Sequence, residues 1–165
     1  SDDEQVHIQY SENSKEYYEI SVSDGNVLTM VNASNKEWTD YIGGKPSAED
    51  RKIVLQVPTA LLDTVTLSTT NEDVSLPVLA VTGSIDISTN GGNITFESLD
   101  VGNTLTLTAK NGDISGTVIG SYDDFAIQSE IKKGDSNLPD NKDSGDKTLK
   151  VSSNNGDVNI EFVAK

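Results

Sequence analysis

Three oxygen-bearing side chains recur at one spacing: Asp73, Asn93 and Asp113 stand twenty residues apart. If the chain winds so that residues twenty apart become neighbours, these carboxylate and amide oxygens stack along one edge. Hard oxygen ligands of this kind hold Ca²⁺, which makes the three residues candidate metal ligands. The same residue types also favour tight turns, where their side chains accept hydrogen bonds from backbone amides. The sequence lacks the denser nine-residue Gly/Asp period of calcium β-rolls. A turn ladder is therefore the stronger expectation, and no metal or other cofactor is called for. Paired carboxylates raise a second chemistry. Glycoside hydrolysis needs two carboxyl groups at a set separation in a groove, and Asp86 with Asp113, or Asp123 with Asp124, are the pairs at matching positions. A polysaccharide lyase would further want a strong base or a neutralising Arg. The single Arg, Arg51, and the single His, His7, both precede the repeating part of the chain. The absence of Cys excludes thiol catalysis, a disulfide scaffold and Cys-ligated metal. The expectation is a protein that is not an enzyme.

Charge narrows the partners. The 165 residues carry 27 Asp and Glu against 12 Lys and Arg, for a formal net charge of −15. Nucleic-acid binding needs clustered cations to release counterions, and anionic lipid surfaces select basic segments. Both are argued against. No run of 18 or more apolar residues is present, so no segment reads as a membrane span. Residues 58–131 hold ten acids and one base, Lys110, whereas 132–165 hold six of each. The centre of the chain therefore carries most of the negative field, which discourages non-specific association and favours cationic partners. The chain opens SDDEQ without an initiator Met. Either it is natively cytosolic or an export signal or anchor has been removed, and the missing Met favours the second.

The elements that must position these residues are strands. Alternation of apolar and polar residues recurs in YYEISVS (17–23), KIVLQVP (52–58), TVTLST (64–69), SIDIST (84–89), TLTLTA (104–109) and TLKVSS (148–153). Short period-two runs separated by Gly, Asn and Asp predict an all-β fold. The best helical candidate is only Ser47 to Lys52. Written in blocks of twenty, the middle of the chain falls into columns: Val65, Ile85, Leu105, Phe125; Leu67, Ile87, Leu107, Ile127; Val74, Ile94, Ile114; Leu76, Phe96; Thr59, Leu79, Leu99, Ile119; Leu61, Val81, Val101. A fixed period with two short strands and a Gly/Asn/Asp corner in each block predicts a single-stranded parallel β-solenoid of about five coils. Its corners at residues 90–92, 111–113 and 155–157 are expected to need left-handed backbone, which Gly and Asn tolerate best.

The period is broken once. Leu149 follows Leu105 by 44 residues, two periods plus four. The surplus lies in KKGDSNLPDNKDSGDK (132–147), read as a loop or widened corner on the second-last coil. Insertions on repeat proteins often map to binding faces, so Asp135, Asn137 and Asp140 are candidate interaction residues. Residues 1–57 do not follow the period and are expected to form a small antiparallel β cap on solenoid residues 58–165. Trp38 with Tyr41 is a further candidate partner-binding pair, although packing of the cap would equally engage a Trp.

The segments KEWTDYI (36–42), IVLQVPTALLDTVTLST (53–69), the repeated NGxI-type blocks, GDSNLP (134–139) and LKVSSNNGDVNIEF (149–162) occur in an order that resembles the putative-adhesin domains of bacteria. The first block departs from the pattern with NED in place of NGD. The resemblance covers nearly the whole chain. It implies a right-handed β-solenoid, a place at the cell surface and no catalytic or ligand residues to carry over. Three functions are expected in this order: a non-enzymatic cell-surface module that binds a protein or glycan; a structural or sensory extracytoplasmic domain of an envelope protein; and a carbohydrate-active enzyme. The partner itself is not legible, and a monomer is the expected state.

Overall fold

The computed structural model describes residues 7–9, 16–22, 28–34, 54–56 and 62–165. The chain divides into two compact units, Ser1–Leu61 and Leu62–Lys165. In the first, β1 (His7–Gln9) pairs antiparallel with β4 (Val54–Gln56), and β2 (Glu16–Val22) pairs antiparallel with β3 (Leu28–Ser34). Trp38, Tyr41, Arg51 and the Ser47–Lys52 segment lie outside the described residues.

The second unit is built from ten strands: β5 (Val65–Thr69), β6 (Val74–Val81), β7 (Ile85–Thr89), β8 (Ile94–Val101), β9 (Thr104–Asn111), β10 (Ile114–Ile119), β11 (Phe125–Ile131), β12 (Asn141–Lys142), β13 (Lys147–Asn155) and β14 (Val158–Val163). Its only helical element is a 3₁₀ turn at Tyr122–Asp124. The fold is all-β with two sheets, ordered β5-β7-β9-β13-β11-β12 and β6-β8-β10-β14. All pairings within them are parallel except the two-residue contact of β11 with β12.

Burial explains why like residues pair. Alternate positions point inward, and Ile85, Ile87, Ile94, Leu99, Leu105, Leu107, Ile114, Val118, Phe125, Ile127 and Leu149 are fully buried. Each such side chain contributes about 1.5–3 kcal/mol when taken from water, and a register that stacks them secures this for every coil at once. Val65 stands beside Ile85 and Ile85 beside Leu105; Leu67, Ile87 and Leu107 form the next row. Val74, Ile94 and Ile114 continue to Val158.

Two columns depart from the twenty-residue blocks. Between β8 and β10 the register slips by one residue, from Gly116 opposite Phe96 to Val118 opposite Leu99. Val118, not Ile119, therefore continues the Leu79–Leu99 column and is fully buried. Gly116 leaves room for the neighbouring aromatic ring: a Cβ there would lie 2.3 Å from Cδ2 of Phe96.

The larger departure is in strand order. β13 inserts between β9 and β11, so the last long strand of this sheet in sequence is not the outermost in space. Leu149 pairs with Leu105 on one side and Ile127 on the other, and Val151 with Leu107 and Ser129. Ile127, rather than Phe125, continues the Leu105 column; Phe125 stands opposite Lys147. A shift of two residues keeps every side chain on its face. Alternation alone thus allowed either register.

The corners are also held differently from the expectation. Gly92 and Gly112 do not have positive φ. They are required by close approach. A Cβ on Gly92 would meet the Glu72 carbonyl oxygen at 2.1 Å, one on Gly112 the Gly92 carbonyl at 2.1 Å, one on Gly156 the Gly112 carbonyl at 2.1 Å and one on Gly134 the Gly156 carbonyl at 2.2 Å. Backbone rests directly on backbone up this edge.

Candidate functional site

Beside that glycine column runs a ladder of side-chain oxygens. Oδ1 of Asp73 accepts the Asn93 amide at 2.7 Å, Oδ1 of Asn93 the Asp113 amide at 2.9 Å, and Oδ1 of Asp113 the Asp157 amide at 2.8 Å. Oδ1 of Asp157 then accepts the Asp135 amide at 2.8 Å. The three candidate Ca²⁺ ligands are thus brought together, and each ties its coil to the next through a backbone amide. Asn155 and Asn111 repeat the pattern nearby, Nδ2 of Asn155 donating to Oδ1 of Asn111 at 2.7 Å. Among the described residues no group of three or more His, Cys, Asp or Glu is arranged to hold a metal ion.

The insertion at 132–147 is tied to the end of the stack. The Val158 amide donates to the Asp135 carbonyl at 2.8 Å, and the Ser129 amide to the Asp140 carbonyl at 2.9 Å. The Asn137 side chain bonds Ile160 twice, Nδ2 to its carbonyl at 2.8 Å and Oδ1 from its amide at 3.0 Å. Leu138 is buried. Asn137 and the main chain of Asp135 and Asp140 are therefore engaged with neighbouring strands, in place of a free corner.

The carboxylate pairs fall into structural settings. Asp86 stands outward on β7, in register with Thr66 and Thr106, whereas Asp113 belongs to the corner ladder. Asp124 accepts the Ser121 amide at 2.7 Å, and Asp123 donates its own amide to the Ser121 hydroxyl at 3.3 Å, closing the 3₁₀ turn. His7 pairs with Gln56 across β1 and β4.

One concavity gathers polar groups that the fold itself leaves unused. On the outward face of the larger sheet, Thr106, Lys150 and Gln128 stand in one row, and Thr108, Ser152 and Glu130 in the next. Asp140 and Asn141 form a wall along β11. Together they line an open groove of about 430 Å³. Among the described residues, the side chains of Thr106, Thr108, Gln128, Glu130, Asp140, Lys150 and Ser152 form no hydrogen bond or ion pair. Farther along the same face, by contrast, Ser88 donates to Ser68 at 3.0 Å. Hydroxyls, an amide, an ammonium and two carboxylates can together match a polar, hydrogen-bonding ligand. The sequence reading missed this row because it assumed that β11 lies next to β9; the outward positions were legible, but the order of strands that makes Lys150 central was not.

The electrostatics of the unit are otherwise local. Asp100 lies between two lysines, 3.7 Å from Lys147 Nζ and 2.6 Å from Lys165 Nζ. Exposed pairs of this kind contribute about 0–1 kcal/mol each. No helix of the described residues is long and apolar enough to cross a membrane.

A family model described as Toastrack DUF4097 matches residues 1–161. No curated protein matches the chain. Among solved structures, a crystal structure described as a putative cell adhesion protein from Clostridium sporogenes ATCC 15579 superposes with a TM-score of 0.62 at 13% identity. The match covers 96% of this chain and 82% of that one, and at this identity it speaks for the fold.

Proposed function

The chain belongs to the Toastrack DUF4097 family, and from that premise we propose that it is a non-enzymatic module of the cell surface that binds a protein or glycan partner. The observation that carries the reading is the outward groove, where seven polar side chains have no partner within the described residues. Solvated, such groups cost nothing; presented together on rigid strands, they can exchange water for the hydroxyls and amides of a ligand with little ordering cost. The cell adhesion description of the C. sporogenes structure points the same way. The reading keeps residues 1–57 as the antiparallel element that closes the first coil, on a right-handed stack of coils of about twenty residues.

Catalysis is disfavoured by the setting. A glycosidase acid must stay protonated, which takes an apolar, water-poor pocket. Glu130 and Asp140 are both exposed in an open groove. The test is retention of the wild type and of Lys150→Glu on a panel of cell-surface glycans and proteins, with released product assayed alongside. At least a tenfold weaker retention of Lys150→Glu on some member of the panel, without product, is expected. Product formation by the wild type, or equal retention of both proteins throughout, would overturn the reading.

A further inference from the structure

The coil stack ends in two strand edges, β14 in one sheet and β11 in the other. A row of bare amides and carbonyls at such an edge is a template for another chain. Neither edge is bare here. Along β14, Ser136 forms a parallel bridge with Val158. The Val158 amide donates to the Asp135 carbonyl at 2.8 Å, and the Val158 carbonyl accepts the Asn137 amide at 3.2 Å. Two residues on, where the main chain of the insertion has left the edge, the Asn137 side-chain amide takes over and satisfies both the N–H and the C=O of Ile160. Along β11, Asn141 and Lys142 pair antiparallel with Gln128 and Ile127.

The insertion thus begins as the next strand of the stack and stops. Its first residues follow the parallel register and even extend the corner ladder, through the Asp135 amide on Asp157. Leu138 then turns inward and is buried. Pro139 follows, which has no N–H to offer a ladder. Lys142 fixes the return, its Nζ donating to the carbonyls of Phe125 at 2.8 Å and Ser144 at 2.6 Å. The outer rim of the segment is exposed and carries both signs of charge, with Lys132, Lys133, Asp135, Asp140, Asp143 and Asp146. Truncation, a Pro and mixed charge are the devices that stop one sheet edge from adding to another.

We propose that residues 132–146 are a built-in edge guard, and that the surface they cover is a homotypic docking site whose partner, once uncovered, is a second copy of this chain. β14 of one copy would then pair antiparallel with β14 of the other about a two-fold axis, the self-complementary arrangement of a closed dimer. The guard keeps this end of the stack closed, so that the outward groove is presented by a single chain.

Sedimentation equilibrium of three proteins tests this: the wild type, Asn137→Ala, and Asn137→Ala combined with Leu138→Ser and Lys142→Ala. Salt of about 0.5 M shortens the Debye length enough to mute repulsion between acidic copies. The wild type is expected at its single-chain mass of 17.7 kDa, the triple variant at twice that mass, and Asn137→Ala with a mass that rises with concentration. A triple variant with the wild-type circular dichroism spectrum that sediments as one chain up to its solubility limit overturns the proposal. Should the triple variant fail to fold, Asn137→Ala decides by itself. Faster exchange of the Ile160 amide together with a concentration-dependent mass supports the guard, and a mass fixed at one chain overturns it.

Discussion

Ile94→Asp is expected to remove most or all of the stability of the Leu62–Lys165 unit. Ile94 is fully buried, and its strand neighbours are Val74 on one side and Ile114 on the other. Those neighbours are themselves buried, and the column runs on to Val158. No side-chain donor of this column faces the site, so a carboxylate there would be an unpaired charge among aliphatic groups. Breaking a buried pair to leave one such charge costs about 3–5 kcal/mol. Loss of the isoleucine's own burial adds about 2 kcal/mol. Against a total of about 5–15 kcal/mol for a domain, little remains. The measurement is thermal or urea unfolding by circular dichroism, with Ile94→Val as a companion expected to cost only about 1 kcal/mol. A melting temperature for Ile94→Asp within a few degrees of the wild type would contradict the placement of the column.

Gly112→Ala is expected to destabilise nearly as much, for a different reason. The added methyl would sit 2.1 Å from the carbonyl oxygen of Gly92, an atom of the main chain. Relief requires the two coils to move apart. That motion would stretch the Ile94 amide from the Asp113 carbonyl, now 2.9 Å, and the Asp113 amide from Asn93 Oδ1, also 2.9 Å. Overpacking of this kind costs about 1–3 kcal/mol and sometimes more. The upper end is expected here, because no flexible side chain can yield. Lys110→Ala, two residues earlier and exposed, should change stability by less than about 0.5 kcal/mol. Equal unfolding midpoints for Gly112→Ala and Lys110→Ala would show that the corner is looser than its geometry implies.

The contrast between those two sites shows what the sequence made legible. Positions such as Val74, Ile94 and Ile114 could be aligned from spacing alone, because burial of one face imposes a column. The corner at Gly112 was legible as a corner, but its cause was not. Turn preference and close stacking both select glycine, and only the distance to Gly92 separates them. The slip that replaces Ile119 with Val118 turns on a single residue at Gly116, which Phe96 forces and which no periodicity reveals. The 132–147 insertion was recognised as an interruption of the period. Its part in covering Ile160 and Gln128 depends on contacts across the stack, which local sequence does not encode. The Asp73–Asn93–Asp113 set illustrates the same point at the level of chemistry: the spacing correctly placed three oxygens together, and the backbone amides, rather than a cation, occupy their first oxygen in each step.

The groove rests on one claim above all, that β13 lies between β9 and β11 and so sets Lys150 between Thr106 and Gln128. The chain has no Cys, which allows a direct test by paired substitution. Neighbouring strands run about 4.8 Å apart, within the reach of a disulfide, whereas strands two apart exceed the Cα separation of about 7 Å that a bridge tolerates. The measurement is the oxidised fraction, by intact mass and non-reducing gel, of Thr106→Cys with Lys150→Cys against Thr106→Cys with Gln128→Cys. Ready intramolecular bridging of the first pair and none of the second is the predicted result. Bridging of the second pair without the first would place β11 beside β9 and contradict the groove, its central lysine and the function argued from them.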